Sequence, residues 1–251
     1  MNPNKLFFKD SSFTAFIHRG GAEDATENTL DAFQYSANLG FVFMETDVQS
    51  TKDGKIVVFH DDSLKRVAGI NKQIKQLDLK QLKDIKLLKG GTIPTLDELL
   101  HSFPKLKFNI DIKTHEATNE SIKIIRQHNA FDRVCLASFS SKRLKKIRKI
   151  LNGHLCSSMG MTEVLNLILN SYGLNLKISD GQCAQVPKSY FGIPVLSKRF
   201  IDYAHHCSKL VHVWTINNEN DMHNIINLGV DGIMTDFPSV LKKVLLEKGL
   251  M

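Results

Sequence analysis

The chain has 251 residues, 42% of them hydrophobic, and carries a formal net charge of +7. This length suits one α/β barrel or two small domains. No apolar run approaches the roughly 18 residues of a membrane span, and the N-terminus lacks the apolar core of a signal peptide. The four cysteines form no Cys-x-x-Cys pair, which argues against a disulfide framework or a zinc site and favours a reducing compartment. We therefore expect a cytoplasmic protein with no transmembrane segment.

Strands and helices are predicted to alternate along the chain. The predicted strands are 14–17, 42–49 with its return strand 56–59, 106–113, 134–139, 155–159, 182–187, 211–216 and 231–235. The helices that follow them are predicted at 27–40, 95–100, 121–128, 140–151, 162–170 (capped by Thr162), 197–207, 219–228 and 238–248. Alternating strands and helices imply a parallel sheet, and eight such pairs in one chain of this length fit a (β/α)8 TIM barrel.

Two further observations refine this fold class. The lysine-rich stretch 66–92 interrupts the rhythm, so we interpret it as a small insertion after the second-strand hairpin of a single domain, 1–251. The alternative is an open doubly wound sheet, which would need a glycine-rich phosphate turn. The chain contains no Gly-x-Gly-x-x-Gly, and the barrel is therefore preferred.

The hairpin formed by the second strand predicts a polar cluster. Asp53-Gly54 is a strong signal for a two-residue turn, since that turn needs positive φ at both central positions. With this turn, Asp47 lies opposite His60, and Glu45 shares the face of Asp47. Two neighbouring carboxylates repel each other unless a cation or a proton separates them, and an oxygen-ligated Mg²⁺ or Ca²⁺ would do so.

Other polar residues follow the ends of predicted strands, which in a barrel meet at one catalytic face. This reasoning adds His18 and Arg19 after the first strand, Asp111 and Lys113 at the third, and Trp214 at the seventh. Such a set suits phosphodiester cleavage, because acids bind a hard cation, cations offset charge on phosphoryl oxygens, and two imidazoles divide the proton transfers. A zinc hydrolase fits less well, because acids dominate and no His-x-x-x-His helix is present.

The ordered motifs resemble the glycerophosphodiester phosphodiesterase family from about residue 15 to the end. They are His18-Arg19-Gly20, Glu27-Asn28-Thr29, Glu45-x-Asp47, Phe59-His60-Asp61, Ile93-Pro94-Thr95-Leu96, Asp111-Ile112-Lys113, Ser138-Phe139, Trp214-Thr215-Ile216-Asn217 and Asp231-Gly232-Ile233-x-Thr235-Asp236-x-Pro238. The resemblance implies a (β/α)8 fold and hydrolysis of glycerophosphodiesters to glycerol 3-phosphate and an alcohol with Mg²⁺ or Ca²⁺.

The resemblance also assigns roles residue by residue. It makes Glu45, Asp47 and Asp111 the metal ligands and makes His18 and His60 the acid–base pair. Arg19 and Lys113 would bind phosphate, Trp214 would contact the glycerol or alcohol group, and Glu27 would support the mouth near the metal or by pairing with Arg19. The chain departs from the family at Thr26, where proline is common, and at Asp111, where glutamate is common. The shorter side chain of Asp111 would require the cation to move or a water to fill the gap.

Two alternative functions stay open from the sequence. A lysophospholipase D would use the same site with an apolar rim, which the 66–92 insertion could supply. A catalytically silent barrel would bind the ligand without turnover. The expected partner is a small glycerophosphodiester and not a nucleic acid. The basic helix at 142–149 is interpreted as a solvated face, with weak contact to anionic lipid headgroups as the alternative.

Overall fold

A computed structural model of the chain describes residues 6–9, 11–23 and 25–251. Its strands, in chain order, are β1 Thr14–Ile17, β2 Phe43–Ser50, β3 Ile56–Val58, β4 Lys107–Ile112, β5 Val134–Ala137, β6 Cys156–Ser157, β7 Cys183–Pro187, β8 Ser189–Tyr190, β9 Ile193–Pro194, β10 Leu210–Trp214 and β11 Gly232–Thr235.

Eight of these strands form a parallel barrel. Their order is β6-β5-β4-β2-β1-β11-β10-β7, and β3 pairs antiparallel with β2 outside this path. A parallel bridge between Ser158 and Cys183 joins the two ends of the order. The predicted (β/α)8 TIM barrel with a small insertion is therefore confirmed.

Helices follow the barrel strands. They are α1 Leu30–Asn38, α2 Lys65–Ala68, α3 Leu79–Lys83, α4 Leu96–Ser102, α5 Ala117–Gln127, α6 Ser141–Leu151, α7 Met161–Ser171, α8 Lys198–His206, α9 Glu219–Leu228 and α10 Pro238–Glu247. Several begin at hydroxyl caps, and Thr95 and Glu98 form the reciprocal capping box expected at α4. The predicted cap at Thr162 is wrong, because α7 begins one residue earlier, where the Gly160 N–H donates to the Glu163 carboxylate at 2.9 Å.

The predicted register of the β2–β3 hairpin is wrong by one residue. Val48 pairs with Val58 and Ser50 with Ile56, so continuing the same register places Phe59, not His60, opposite Asp47. The turn contains three residues, 52–54, because the Thr51 hydroxyl accepts a hydrogen bond from the Lys55 N–H at 2.9 Å and Gly54 adopts φ +76°. This three-residue turn, closed by a left-handed glycine, replaces the predicted two-residue turn. Each residue of β2 therefore lies opposite the β3 residue one position earlier than predicted.

The segment between β3 and α4 packs around a small hydrophobic cluster of its own. Leu64, Ile74 and Leu82 are fully buried within it, whereas Leu88 is exposed. The three buried side chains face the interior of the segment and the edge of β3. This segment is the insertion predicted at 66–92, and its assignment to one domain with the barrel stays a prediction.

The barrel interior is divided into an apolar floor and a polar mouth. Phe7, Phe16 and three cysteines form the floor cluster, and the Phe7 carbonyl accepts a hydrogen bond from the Lys107 ammonium at 2.6 Å. The outward faces of the strands pack against the helices in the main core. The charged side chains of β1, β2 and β4 that line the cavity gather at the end where the strands terminate, which is the end that carries chemistry in this architecture.

Within the described parts of the chain, every helix is too short or too polar to cross a bilayer.

Candidate active site

The turn after β1 places two of the predicted residues at the barrel mouth. A 3₁₀ turn covers His18–Gly20, with Arg19 at φ 55° and Gly20 at φ 77°. The Arg19 carbonyl accepts a hydrogen bond from the Asn28 N–H at 2.7 Å, which ties the turn to the start of α1. A non-glycine residue with positive φ is uncommon and is retained where surrounding contacts fix it.

Three carboxylates project from β2 and β4 into the barrel. Asp47 and Asp111 are direct partners in the parallel register of these strands, and Glu45 lies two residues before Asp47 on the same face. All three residues are buried. The Lys113 ammonium lies between Asp47 Oδ1 and Asp111 Oδ2, at 2.8 Å from each.

Burial and crowding change the acidity of this group. Burial, together with the neighbouring Asp47 charge, raises the pKa of Glu45 to about 8. Burial also raises the pKa of Asp111. Burial alone would raise the pKa of Asp47 as well, but Lys113 and Arg19 reverse that effect and lower it. Crowded, desolvated carboxylates favour either a bound proton or a bound cation.

One atom of the group points to a cation. Asp111 Oδ1 is buried and has no hydrogen-bond partner among the described residues. An unpaired buried oxygen is costly unless something binds it. An all-carboxylate donor set suits a hard cation such as Mg²⁺ or Ca²⁺. The chemistry of this donor set therefore suits the metal that the family resemblance implies, although the Lys113 ammonium bridges Asp47 and Asp111 in this arrangement.

His18 is held between two acids. Its Nδ1 lies 2.6 Å from Asp236 Oδ1, and its Nε2 lies 3.7 Å from Glu45 Oε2. Burial would lower the pKa of His18, but the Glu45 and Asp236 carboxylates outweigh burial, and the pKa is raised. Asp236 itself accepts a second hydrogen bond at 2.7 Å from the Asn217 amide. Asp236 thus fixes the orientation of the His18 ring through its contact with Nδ1.

His60 is held in the same way from another loop. Its Nδ1 lies 2.6 Å from Asp61 Oδ1. The Gln49 amide nitrogen donates to the carbonyls of Phe59, His60 and Asp61 at 3.2, 2.9 and 2.7 Å, which fixes the backbone of this loop. Although the hairpin register differs from the prediction, His60 still lines the cavity beside Asp47.

An ion-pair chain joins the two loops. Arg19 Nη1 donates to Glu27 Oε1 at 2.9 Å, and its Nε lies 3.3 Å from Asp47 Oδ2. Arg66, on α2 of the insertion, binds both Glu27 oxygens at 2.7 Å and donates to Asp61 Oδ2 at 2.7 Å. Burial would raise the pKa of Asp61, but Arg66 and His60 lower it to about 2.

These side chains surround one cavity of about 490 Å³. Eight of the nine predicted site residues line it, namely His18, Arg19, Glu45, Asp47, His60, Asp111, Lys113 and Trp214. Trp214 packs edge-on against Phe139, with ring centroids 5.7 Å apart. Glu27 does not line the cavity and lies behind Arg19, which is the pairing arrangement expected for it.

Sequence reasoning assigned no role to three charged residues that form ion pairs with the predicted ones, Asp61, Arg66 and Asp236. Asp61 directly follows His60, and Asp236 lies in the last motif quoted above, so both had a sequence signal. Arg66 had none, because it starts a lysine-rich stretch interpreted as an insertion.

Another carboxylate–histidine group lies on the outer helices, formed by Glu219, His223 and Glu247. Glu219 already binds the Lys243 ammonium at 2.7 Å. This group is outside the barrel mouth, and we assign no role to it.

Comparison with known proteins places this architecture in a family. The model of the glycerophosphoryl diester phosphodiesterase family matches residues 18–240. The "Probable glycerophosphodiester phosphodiesterase 2" of Mycobacterium tuberculosis is 32% identical over 98% of this chain and 96% of its own length. The human protein named "Lysophospholipase D GDPD1" is 28% identical over 91% of this chain and 84% of its own length.

Solved structures share the fold. A protein of Silicibacter pomeroyi superimposes with a TM-score of 0.82 over 99% of both chains at 20% identity. A phosphodiesterase of Oleispira antarctica, solved in complex with the product sn-glycerol-3-phosphate, superimposes with a TM-score of 0.78 at 23% identity over 92% of this chain and 96% of its own. The family match spans every barrel strand after β1 and all nine predicted site residues, and the chain therefore belongs to the glycerophosphoryl diester phosphodiesterase family and is a phosphoric diester hydrolase.

Proposed function

We propose that the enzyme hydrolyses glycerophosphodiesters to glycerol 3-phosphate and an alcohol with the help of one divalent cation. The observation that supports this proposal is the cavity described above, in which three buried carboxylates, two carboxylate-bound histidines and two cations face one another. The activity named for the M. tuberculosis relative and the product bound to the O. antarctica protein agree with it.

The cation would be held by Glu45, Asp47 and Asp111. The unpaired Oδ1 of Asp111 and the raised pKa of Glu45 support this ligand set, and carboxylate oxygens favour Mg²⁺ or Ca²⁺ without choosing between them. When bound, the cation would polarise a phosphoryl oxygen.

Positive side chains would hold the phosphate. Lys113 lies at the centre of the carboxylate group and Arg19 at its edge, so both stand where negative charge grows on the phosphoryl oxygens. Glu27 keeps the Arg19 guanidinium in place. Trp214, at the end of β10, offers an apolar surface to the glycerol or alcohol group.

The two histidines would divide the proton transfers. Asp236 and Asp61 hold the Nδ1 atoms of His18 and His60, which leaves each Nε2 as the nitrogen that can exchange a proton with the substrate. One imidazole takes a proton from the attacking oxygen, and the other gives a proton to the leaving oxygen.

The test measures glycerol 3-phosphate released from a glycerophosphodiester with and without a chelator. We expect chelation to abolish the activity and Mg²⁺ or Ca²⁺ to restore it. We expect His60→Ala to lower kcat about 10²–10⁴-fold, which is the usual effect of a general acid or base. His205→Ala is the matched control, because His205 also bonds a carboxylate, Asp231, at 2.7 Å but lies outside the cavity.

Two results would contradict the proposal. One is activity that neither the chelator nor His60→Ala changes. The other is binding of glycerol 3-phosphate without turnover under any divalent cation, which would indicate a silent barrel. The cytoplasmic location and the absence of a nucleic-acid partner stay predictions.

A second function is favoured by one observation. The side of the cavity opposite the carboxylates is apolar, and a relative is named a lysophospholipase D. Both observations favour the same site acting on a single-chain phospholipid.

A further inference from the structure

A group of large apolar side chains is exposed around one side of the barrel mouth. Leu165 on α7 is 52% exposed, and Phe191 and Ile193 at the tip of the β8–β9 hairpin are 89% and 70% exposed. We call this group the apolar rim, and its members are Phe139, Met161, Leu165, Tyr190, Phe191 and Ile193. Apolar groups of this size on a protein surface mark sites that contact another apolar body.

The apolar rim is continuous with the cavity of the active site. Phe139, Met161, Leu165 and Tyr190 line the same cavity as the histidines and carboxylates. Met161, Leu165 and Ile168 recur at helical spacing on α7, so one face of this helix turns toward the cavity. A ligand whose phosphate lies at the charged end therefore has an apolar wall beside it.

The two kinds of lining come from opposite sides of the barrel. The charged groups stand on β1, β2 and β4, whereas the apolar wall follows β5, β6 and β7. In the closed strand order, β6 lies across the barrel from β1 and β7 across from β2. A substrate spanning the cavity would be polar at one end and apolar at the other.

The apolar wall exceeds what a deacylated substrate needs. Glycerol and phosphate are polar, and they gain little from contact with leucine and phenylalanine. An alkyl chain gains about 0.8 kcal/mol for each methylene that it buries. The hairpin 189–194 contains no charged residue, and the acid on the first turn of α7, Glu163, is bound by Arg148. The wall and the hairpin tip are thus suited to a hydrocarbon chain.

The insertion does not supply this rim, contrary to the expectation from the sequence. Apart from the exposed Leu88, its large apolar side chains pack into its own cluster, and Arg66 gives it a polar contact with the site. The rim comes instead from α7 and the β8–β9 hairpin.

We infer that the enzyme acts on a single-chain phospholipid, with the acyl chain lying along α7 toward the hairpin tip. This inference rests on the proposed phosphodiester hydrolysis and specifies its substrate class. In the net reaction, the oxygen of water forms a new bond to phosphorus and the bond from phosphorus to the headgroup oxygen breaks. The headgroup alcohol leaves with a proton, and the other product is acylglycerol 3-phosphate.

The test compares glycerophosphocholine with lysophosphatidylcholines that carry hexanoyl, octanoyl, decanoyl and dodecanoyl chains, each below its critical micelle concentration and with Mg²⁺ or Ca²⁺. We expect kcat/KM to rise along the series by up to about fourfold per methylene that contacts the wall, the fold-change that corresponds to about 0.8 kcal/mol. The released headgroup choline is the common readout for every substrate.

Variants of the apolar rim test where the acyl chain of the substrate binds. Leu165→Asn should reduce the rise of kcat/KM with acyl-chain length, and the reduction should begin with the shortest chain, hexanoyl. The double variant Phe191→Ser, Ile193→Ser should lower kcat/KM about tenfold only for the longest chains, while glycerophosphocholine, which lacks the chain, keeps its turnover. Leu246→Asn changes a residue that is 56% exposed on α10 and does not line the cavity, and this control should leave the whole series unchanged.

Each other outcome overturns the inference in a recognisable way. Equal kcat/KM for all chain lengths, or variants that slow every substrate alike, would show that the wall holds no chain. If the preference is absent in this series and appears only when the same substrates are assayed above the critical micelle concentration, the rim docks on a lipid surface and not on one chain. Turnover of none of these substrates with either metal would refute the proposed function as well.

Discussion

At the scale of single residues, Arg66 is the side chain that connects the insertion to the active site. It binds Glu27 and Asp61, and these acids in turn hold Arg19 and His60. Arg66 itself does not line the cavity. We therefore regard it as a positioning residue that acts through its two partners.

Replacing Arg66 tests this role. We expect Arg66→Ala to lower kcat/KM about 10–100-fold, because a misplacement of the acid–base group by about 1 Å can have that effect. The pH profile of kcat should shift as well, because Asp61 loses the guanidinium that lowers its pKa. Arg66→Lys should recover little activity, since an ammonium cannot bind two carboxylates in the forked geometry of a guanidinium.

The control is Arg126→Ala, at an exposed position on α5, which should leave kcat/KM and the pH profile unchanged. An Arg66→Ala enzyme with the pH profile of the wild type and only a lower melting temperature would show that Arg66 merely stabilises the fold.

At the scale of elements, the turn between β1 and α1 depends on Gly20. Its φ of +77° lies in the left-handed region, and a Cβ there would meet Phe33 Cδ1 at 2.9 Å and Phe33 N at 3.0 Å. Phe33 is fully buried on α1 and cannot move away easily. The close approach of turn and helix therefore requires glycine, and it positions His18 and Arg19 at the mouth.

Gly20→Ala should destabilise the protein by about 2–5 kcal/mol, the sum of left-handed strain and overpacking. Gly54→Ala is the matched control, because Gly54 has φ +76° but nothing within 4 Å of a built Cβ, so it should cost only the strain of about 1–2 kcal/mol. Urea unfolding measures both values. Equal costs at the two positions would show that contact with Phe33 is unimportant.

The elements also show what the sequence could and could not predict. The eight alternating strand–helix pairs were sufficient to predict the barrel, and the alternation within β2 was sufficient to predict the shared face of Glu45 and Asp47. The hairpin register was not predictable from Asp53-Gly54 alone, because the Thr51 hydroxyl and the third turn residue decide it. The position of His60 was predicted despite this error, since the Gln49 amide holds the loop beyond β3. Neither the contacts of Arg66 nor the apolar rim has a local sequence signal, since both depend on which loops meet in space.

At the scale of the whole molecule, the barrel divides its interior into a dry floor and a charged mouth. The floor contains a polar residue, His212 at the centre of β10, which is fully buried between Phe8 and Phe16. Neither of its ring nitrogens has a hydrogen-bond partner among the described residues. Burial alone lowers the pKa of His212 to about 3, so the ring is neutral whenever the protein is folded near neutral pH.

This neutral histidine should make the fold sensitive to acid. The unfolded chain binds a proton at His212 once the pH falls below its ordinary pKa of about 6.5, whereas the folded chain does not until about pH 3. Above the ordinary pKa of about 6.5 this titration does not affect the free energy of unfolding. Between about pH 6.5 and pH 3 the free energy of unfolding falls as the pH falls, because only the unfolded chain binds the proton. The loss approaches about 1.4 kcal/mol for each pH unit.

His212→Leu removes this titration, so the free energy of unfolding should fall less steeply with acid in the variant than in the wild type. Urea unfolding between about pH 6 and pH 4 should show the wild type losing about 1 kcal/mol more per pH unit than the variant. His154→Leu, at an exposed position, should run parallel to the wild type. Parallel curves for His212→Leu would mean that the folded barrel admits a proton to its floor, and the division between a dry floor and a charged mouth would then be wrong.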